Sequence, residues 1–135
     1  MHSFTKLNVA PGRVAVHWFG QNSYALRGPG GTALLIDPYF PHERPPEKFI
    51  HGRPPLEESE LPVDFVILTH DHLDHTNPET LGRIRSAWPR AVFVGPKESG
   101  ARLDGAGVRK EPFEAAAAGS SLECDEFQAS FVWSK

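Results

Sequence analysis

One cysteine stands in the whole chain, at Cys124, so no internal disulfide forms and the fold must rest on packing alone. A lone thiol suits a reducing cytoplasm, and its simplest role is that of a small, partly buried hydrophobe. No apolar stretch approaches the ~20 residues of a membrane span. The first residues also lack the basic-then-apolar layout of a secretory signal. A cytoplasmic, membrane-free protein is therefore expected. There is no excess of positive charge: the formal net charge is −3, which gives no electrostatic case for a nucleic-acid partner. No internal repeat at a solenoid period is visible. Histidine is missing from the entire stretch after His75. What remains is ordinary for a globular protein, with 39% hydrophobic and 23% charged residues in 135, enough for one domain spanning 1–135.

Against that background, His70-Asp71-His72-Leu73-Asp74-His75 stands out. Three of the seven histidines and two carboxylates fall within six residues. Imidazole nitrogen and carboxylate oxygen are the ligand types that suit zinc, manganese or iron. In an extended segment His70 and His72 share a face. If the chain then turns into a helix, Asp74 and His75 swing round to the same space. The motif follows the apolar run Phe65-Val66-Ile67-Leu68, which reads as a strand buried on both faces of a sheet. Ligand sites in open α/β sheets gather outside the carboxyl ends of such strands. A helix start follows: either Thr76 caps it with Glu79, or Asn77 caps it with Pro78 in the first helical position.

Along the rest of the chain, Arg13 to Phe19, Ser23 to Arg27 and Thr32 to Ile36 read as strands of an antiparallel meander. Gly20-Gln21-Asn22 and Gly28-Pro29-Gly30-Gly31 are the turns between them. The second is a hairpin turn and not a phosphate loop, since neither a helix nor a Lys-Ser/Thr pair follows. Residues 38–62 form a long irregular segment rich in Pro, Glu, Lys and Arg, expected to border the site. Ala91 to Val94 predicts a strand and Lys97 to Leu103 a short helix. Val108 to Phe113, Ser120 to Cys124 and Gln128 to Trp133 are further strand candidates, with Ala115 to Ala118 a connector.

The histidine motif, preceded by Thr69, resembles the signature of the metallo-β-lactamase superfamily. The segments His17-Trp18-Phe19-Gly20-Gln21-Asn22-Ser23-Tyr24 and Leu34-Leu35-Ile36-Asp37-Pro38-Tyr39 are similar to the branch containing the ascorbate-6-phosphate lactonase-like proteins. The likeness runs from about Val14 to Val132. It implies an α/β (α+β) fold, the N-terminal half of a four-layer αββα sandwich. It also implies a metal-dependent hydrolase holding one or two divalent ions, zinc, manganese or iron. His70 and His72 would bind one ion, and Asp74 and His75 a second. Asp74 would be catalytic, holding or deprotonating the attacking water. Asp37 would support the ligand loop as a buried carboxylate, with Thr69 beside it. The substrate would be a small molecule: a lactone, a sugar-phosphate lactone or a phosphodiester. The superfamily pattern requires further ligands beyond the segment matching Phe127 to Trp133. The 135 residues are therefore expected to be one half of an enzyme, inactive alone and completed by a second polypeptide half or a homo-oligomer.

Two other readings stay open: a non-catalytic binding or scaffold module, and a structural metal site that closes between two chains. Several residues have plainer roles. Asp71 is expected to point away from the metal. His17 is expected on a strand face, and His42 and His51 in a solvated loop. Trp18, Trp88 and Trp133 are expected in the core or partly buried. Asp104, Asp125 and Cys124 offer substitute ligands only in principle.

Overall fold

A computed structural model describes residues 1–133; Ser134 and Lys135 lie outside the described residues. The frame is one six-stranded sheet. Its strands are β1 (Ala15–Trp18), β2 (Tyr24–Arg27), β3 (Ala33–Ile36), β4 (Phe65–Ile67), β5 (Val92–Gly95) and β6 (Phe113–Ala115), in spatial order β1-β2-β3-β4-β5-β6. The first three pair antiparallel and the pairs from β3 to β6 are parallel. A separate hairpin, β7 (Ser121–Cys124) and β8 (Phe127–Ser130), forms a second sheet. Helices α1 (Pro78–Ala87) and α2 (Lys97–Gly105) make the parallel crossovers on either side of β5.

Register explains which side is covered. His17, Ala25, Leu35, Val66, Phe93 and Phe113 pair in one row across the sheet. Ala25, Leu35, Val66 and Phe93 are buried together with Leu81 and Ile84 of α1 and Leu103 of α2. The alternate rows face the other way, because successive strand residues point to opposite faces. One such row is Trp18, Tyr24, Ile36, Ile67 and Val94, and its exposure falls from 62% at Trp18 to 1% at Val94. Phe65 and Ile67 are thus only partly buried, so β4 is sealed on one face rather than both.

The long loop is less irregular than its composition suggests. Glu58–Glu60 form a 3-10 turn, and Phe40, Leu56 and Leu61 are buried in the core. Phe40 meets Phe19 edge-on at 5.5 Å, and its backbone N–H donates to Thr80 Oγ1 at 3.0 Å. Arg83 of α1 donates to the Phe40 carbonyl at 2.6 Å and bonds the buried Glu58 at 2.8 Å. Trp88 Nε1 adds a bond to the Glu58 carbonyl. Both ends of the loop are therefore tied to α1, and the exposed middle is what remains free.

Arg85 does comparable work at the other end of α1. Its guanidinium stacks over Phe93 at 3.9 Å and donates to the carbonyls of Pro89, Ala91, Arg109, Lys110 and Pro112. Burial, the larger cause, and Arg109 pull its pKa down to about 10, which still leaves it charged at neutral pH. These bonds hold the segment before β6 as a non-strand connector. The strand therefore begins at Phe113 and not within Val108 to Phe113.

Glu126 fastens the small hairpin to the main sheet. It occupies the β7–β8 turn beside Asp125, and its carboxylate accepts the N–H groups of Gly30 and Thr32. Those backbone bonds hold its carboxyl below the usual carboxylate range. A Cβ at Gly28 would sit 2.6 Å from that carboxylate, so a larger residue there would push the Glu126 side chain off its two N–H donors. The third strand candidate is trimmed too, since β8 ends at Ser130. Trp18 and Trp133 are 62% and 87% exposed, against the expectation that they are core or partly buried; Trp88 is half-buried as expected. Cys124 is fully buried and not merely partly so.

The open edge of the second face, with Val16 and Trp18 well exposed, is an apolar surface of the kind that drives association. The purified chain is expected to self-associate through it. Sedimentation velocity on the Val16→Lys, Trp18→Lys double variant should show a clear shift toward monomer with little change in thermal midpoint. Identical association in the two proteins would remove this face as the cause.

Candidate metal centre

Two parallel strands end side by side, and the site begins there. After Ile36 the chain leaves β3 through Asp37, whose N–H still donates to the Ile67 carbonyl at 3.0 Å. Its φ of 44° is in the left-handed region, which Asp tolerates better than most residues. Pro38 then carries the chain away. One strand over, Leu68 donates to Val94 at 2.7 Å and hands the chain to Thr69. Gly95 lets this happen: a Cβ there would lie 2.9 Å from the Leu68 Cβ.

Asp37 is 2% exposed, and its carboxylate organises the motif. Oδ1 accepts the Thr69 N–H at 2.8 Å. Oδ2 accepts the Thr69 hydroxyl at 2.6 Å and lies 2.7 Å from His75 Nδ1. The single Thr69 hydroxyl proton is thereby committed, so Oγ1 is an acceptor toward His70 Nδ1 at 3.0 Å. The network assigns both rings a proton on Nδ1 and places the lone pair of each on Nε2. Asn22 agrees with this assignment, since its amide nitrogen is 3.4 Å from His75 Nε2 and can only donate to it. A carboxylate fixing the tautomer of a ring whose other nitrogen is free is the arrangement that ligating histidines use.

A turn, not a helix, gathers the rings. The N–H groups of His75 and Thr76 both donate to the His72 carbonyl, at 2.9 and 2.7 Å, which folds the loop back before α1 begins. His70 and His75 ring centroids come to 3.8 Å and His70 and His72 to 4.6 Å. Asp74 stays half-exposed, with Oδ2 3.6 Å from His75 Nε2. The cap of α1 is Asn77, which accepts from the Thr80 N–H at 2.9 Å with Pro78 following. Thr76 is left for another task. Fully buried, it donates to the His70 carbonyl at 2.7 Å and meets Ser99 of α2 at 2.8 Å. Burial, and then the neighbouring His75 and His72, lower the His70 pKa, so its neutral form persists to lower pH than in an ordinary histidine. Only the neutral ring offers a lone pair to a metal.

The donor chemistry fits a divalent ion: oriented imidazoles, a half-exposed carboxylate and no competing cation among the motif residues. His70 lies against His72 and His75, and Asp74 approaches His75, with Asp37 and Thr69 behind them. Asp71 does point away, toward Arg102 at 3.6 Å. His17 lies on β1 against Phe19 at 4.5 Å, and His42 sits in the loop 3.9 Å from Glu57. Among the described residues, the one set of three side chains whose donor atoms all lie within 4.8 Å of one another is His42, Glu57 and Glu58, and it is separate from the motif. Glu58 there is already bonded to Arg83 at 2.8 Å, so the set reads as a loop anchor. Asn22 is the site residue that sequence reasoning named only as part of a turn. Its place beside His75 depends on the β1–β2 hairpin reaching over a partner 53 positions away.

Asp37→Asn tests the network, because Asn accepts the same positive φ but presents a donor where His75 and Thr69 need an acceptor. Affinity for zinc or manganese, read by competition with a chelating dye, should fall about 10–100-fold while the circular dichroism spectrum is retained. An unchanged affinity would separate Asp37 from ligand orientation.

Comparison with known proteins bears on the fold and the family. A metal-dependent hydrolase of Anaeromyxobacter dehalogenans is 36% identical over 66 residues, which is 49% of this chain and 22% of that protein. An uncharacterized protein of Mycobacterium tuberculosis is 35% identical over 104 residues, 73% of this chain and 27% of that protein. Among solved structures, a protein of Parabacteroides distasonis described as a metal-dependent hydrolase superposes with a TM-score of 0.60 at 15% identity, over 88% of this chain and 44% of that one. A metallo hydrolase of Ignicoccus hospitalis does so with a TM-score of 0.54 at 22% identity, over 84% and 43%. The chain thus spans about a quarter of the length of these curated relatives and under half of these structural ones. The sequence profile of the Beta-lactamase superfamily domain matches residues 15–132, and the chain belongs to that family.

Proposed function

We propose that the intact protein is a metal-dependent hydrolase acting on a lactone, a sugar-phosphate lactone or a phosphodiester. The observation that carries this reading is the Asp37 carboxylate holding His75 directly and His70 through Thr69, which places the lone pair of each ring on Nε2. His70 and His72 would hold one ion, Asp74 and His75 a second. Zinc, manganese and iron are the metals that suit this donor set. When bound, such an ion lowers the pKa of a water and polarises the substrate's carbonyl or phosphoryl oxygen. Asp74, at the exposed edge of the cluster, orients the attacking water or takes its proton. His70 and His75 keep fixed tautomers throughout, so no ring has to rearrange as charge develops. Cytoplasmic residence belongs to the same reading, supported by the single buried thiol.

A second reading is favoured by one observation: no three donors of the motif meet within 4.8 Å among the described residues. A catalytic ion wants three protein ligands and an open position. The chain is then a metal-binding module completed by another polypeptide half or a second copy. The two readings diverge in the isolated protein, which by the second one binds metal weakly and turns nothing over.

Elemental analysis of the His70→Ala, His72→Ala double variant should find loss of the first ion relative to the unmodified protein. Full metal content in the variant would end the assignment of these ligands. Asp74→Asn preserves shape and removes charge, so hydrolysis of lactone and phosphodiester panels by the assembled enzyme should fall by about 10²-fold or more with the fold intact. Turnover at the unmodified rate would leave Asp74 without a catalytic role.

A further inference from the structure

The exposed middle of the long loop holds a cation that the metal ligands leave unexplained. From His42 to Arg53 the side chains are exposed except for Arg44, Pro45 and Phe49. The Arg44 guanidinium lies over the Phe49 ring, 4.2 Å from its centroid, and Nε donates to the His51 carbonyl at 2.9 Å. Its Nη1 is buried with no hydrogen-bond partner. Among the described residues no carboxylate lies within 4.0 Å of it. A charged donor left unpaired is costly, and the planar fork of arginine matches carboxylate and phosphate oxygens two at a time.

Aromatic contacts fix where this cation stands. Phe49 packs on Tyr39 at 5.9 Å with the rings inclined by 34°. The Tyr39 N–H donates to Ser23 Oγ at 3.0 Å, and that hydroxyl donates to the Asp37 carbonyl at 2.8 Å. The stack Arg44–Phe49–Tyr39 is thus anchored at the residue that organises the metal motif. Burial raises the Tyr39 pKa first and the Asp74 carboxylate raises it further, while Arg44 lowers it. The phenol is therefore within electrostatic reach of both the motif and the guanidinium. The side chains flanking Arg44, at positions 42–43 and 46–48, are exposed.

We propose that Arg44 is the anion-recognition residue of this site, binding a phosphate or carboxylate group of the substrate while the bond to be broken lies at His70 to His75. Anion binding stands on the surroundings of Arg44 itself; its part in hydrolysis rests on the function proposed above. Phe49 and Tyr39 present the guanidinium in a fixed plane, and substrates without an anionic group lose that contact.

The test is calorimetric titration of inorganic phosphate, and separately acetate, into the full chain freed of metal over a chelating resin. One of the two should bind, and which one distinguishes a phosphorylated substrate from a carboxylated one. Arg44→Gln should weaken that binding at least about tenfold, and Arg44→Lys, which keeps charge without the fork, should fall between. Phenylglyoxal modification of the unmodified protein, mapped by mass spectrometry, needs no variant: the bound anion should slow the adduct at Arg44. The proposal is overturned if neither anion binds, if Arg44→Gln binds equally, or if the adduct rate at Arg44 is unaffected. Arg44-dependent binding with metal content unaltered in the His70→Ala, His72→Ala variant would sink the hydrolase function and leave anion recognition standing. The reverse pattern would remove Arg44 alone.

Discussion

The carboxylate of Asp37 is the point on which this site turns. It lies where β3 ends, buried, and takes three hydrogen bonds from the loop that leaves the neighbouring parallel strand. An unpaired carboxylate at that depth would be expensive, so the partners are held as firmly as the acid itself. Through Thr69 and His75 the constraint passes to two imidazoles and sets which nitrogen of each is free. The sheet thereby decides the protonation pattern of a loop.

Around that centre the fold supplies rigidity from three directions. Thr76 pins the loop's His70 carbonyl from below and joins it to α2 through Ser99. The β1–β2 turn brings Asn22 to His75 from the side. The long loop approaches from the third side, with its ends locked to α1 by Phe40, Glu58 and Arg83 and its middle carrying Arg44 on an aromatic platform.

The two faces of the sheet contrast in the same terms. One is packed against both helices; the other runs from sealed at Val94 to open at Trp18. An apolar face partly covered and partly bare is the kind of surface on which a further layer packs, and the exposed Trp18 marks its open edge.

Much of this was legible along the chain. The period-two and continuous apolar runs located β1 to β5, and the Asn77-Pro78 pair located the start of α1, because these signals are local and depend on neighbours a few positions apart. The His70-to-His75 spacing and the Asp37-Pro38 strand end pointed, for the same reason, to residues that the fold gathers where β3 and β4 end. What the chain alone left undecided was long-range. Whether Thr76 capped a helix or braced a loop depended on Ser99 arriving from α2. Trp18 looked like core until the register put it on the open face. The link from Asn22 to His75, the clamp of Glu126 on the Gly28–Gly31 turn, and the stranded guanidinium of Arg44 join or isolate groups by distance in space. No pattern in sequence carries that information; only packing determines which polar groups find partners and which are left waiting for one.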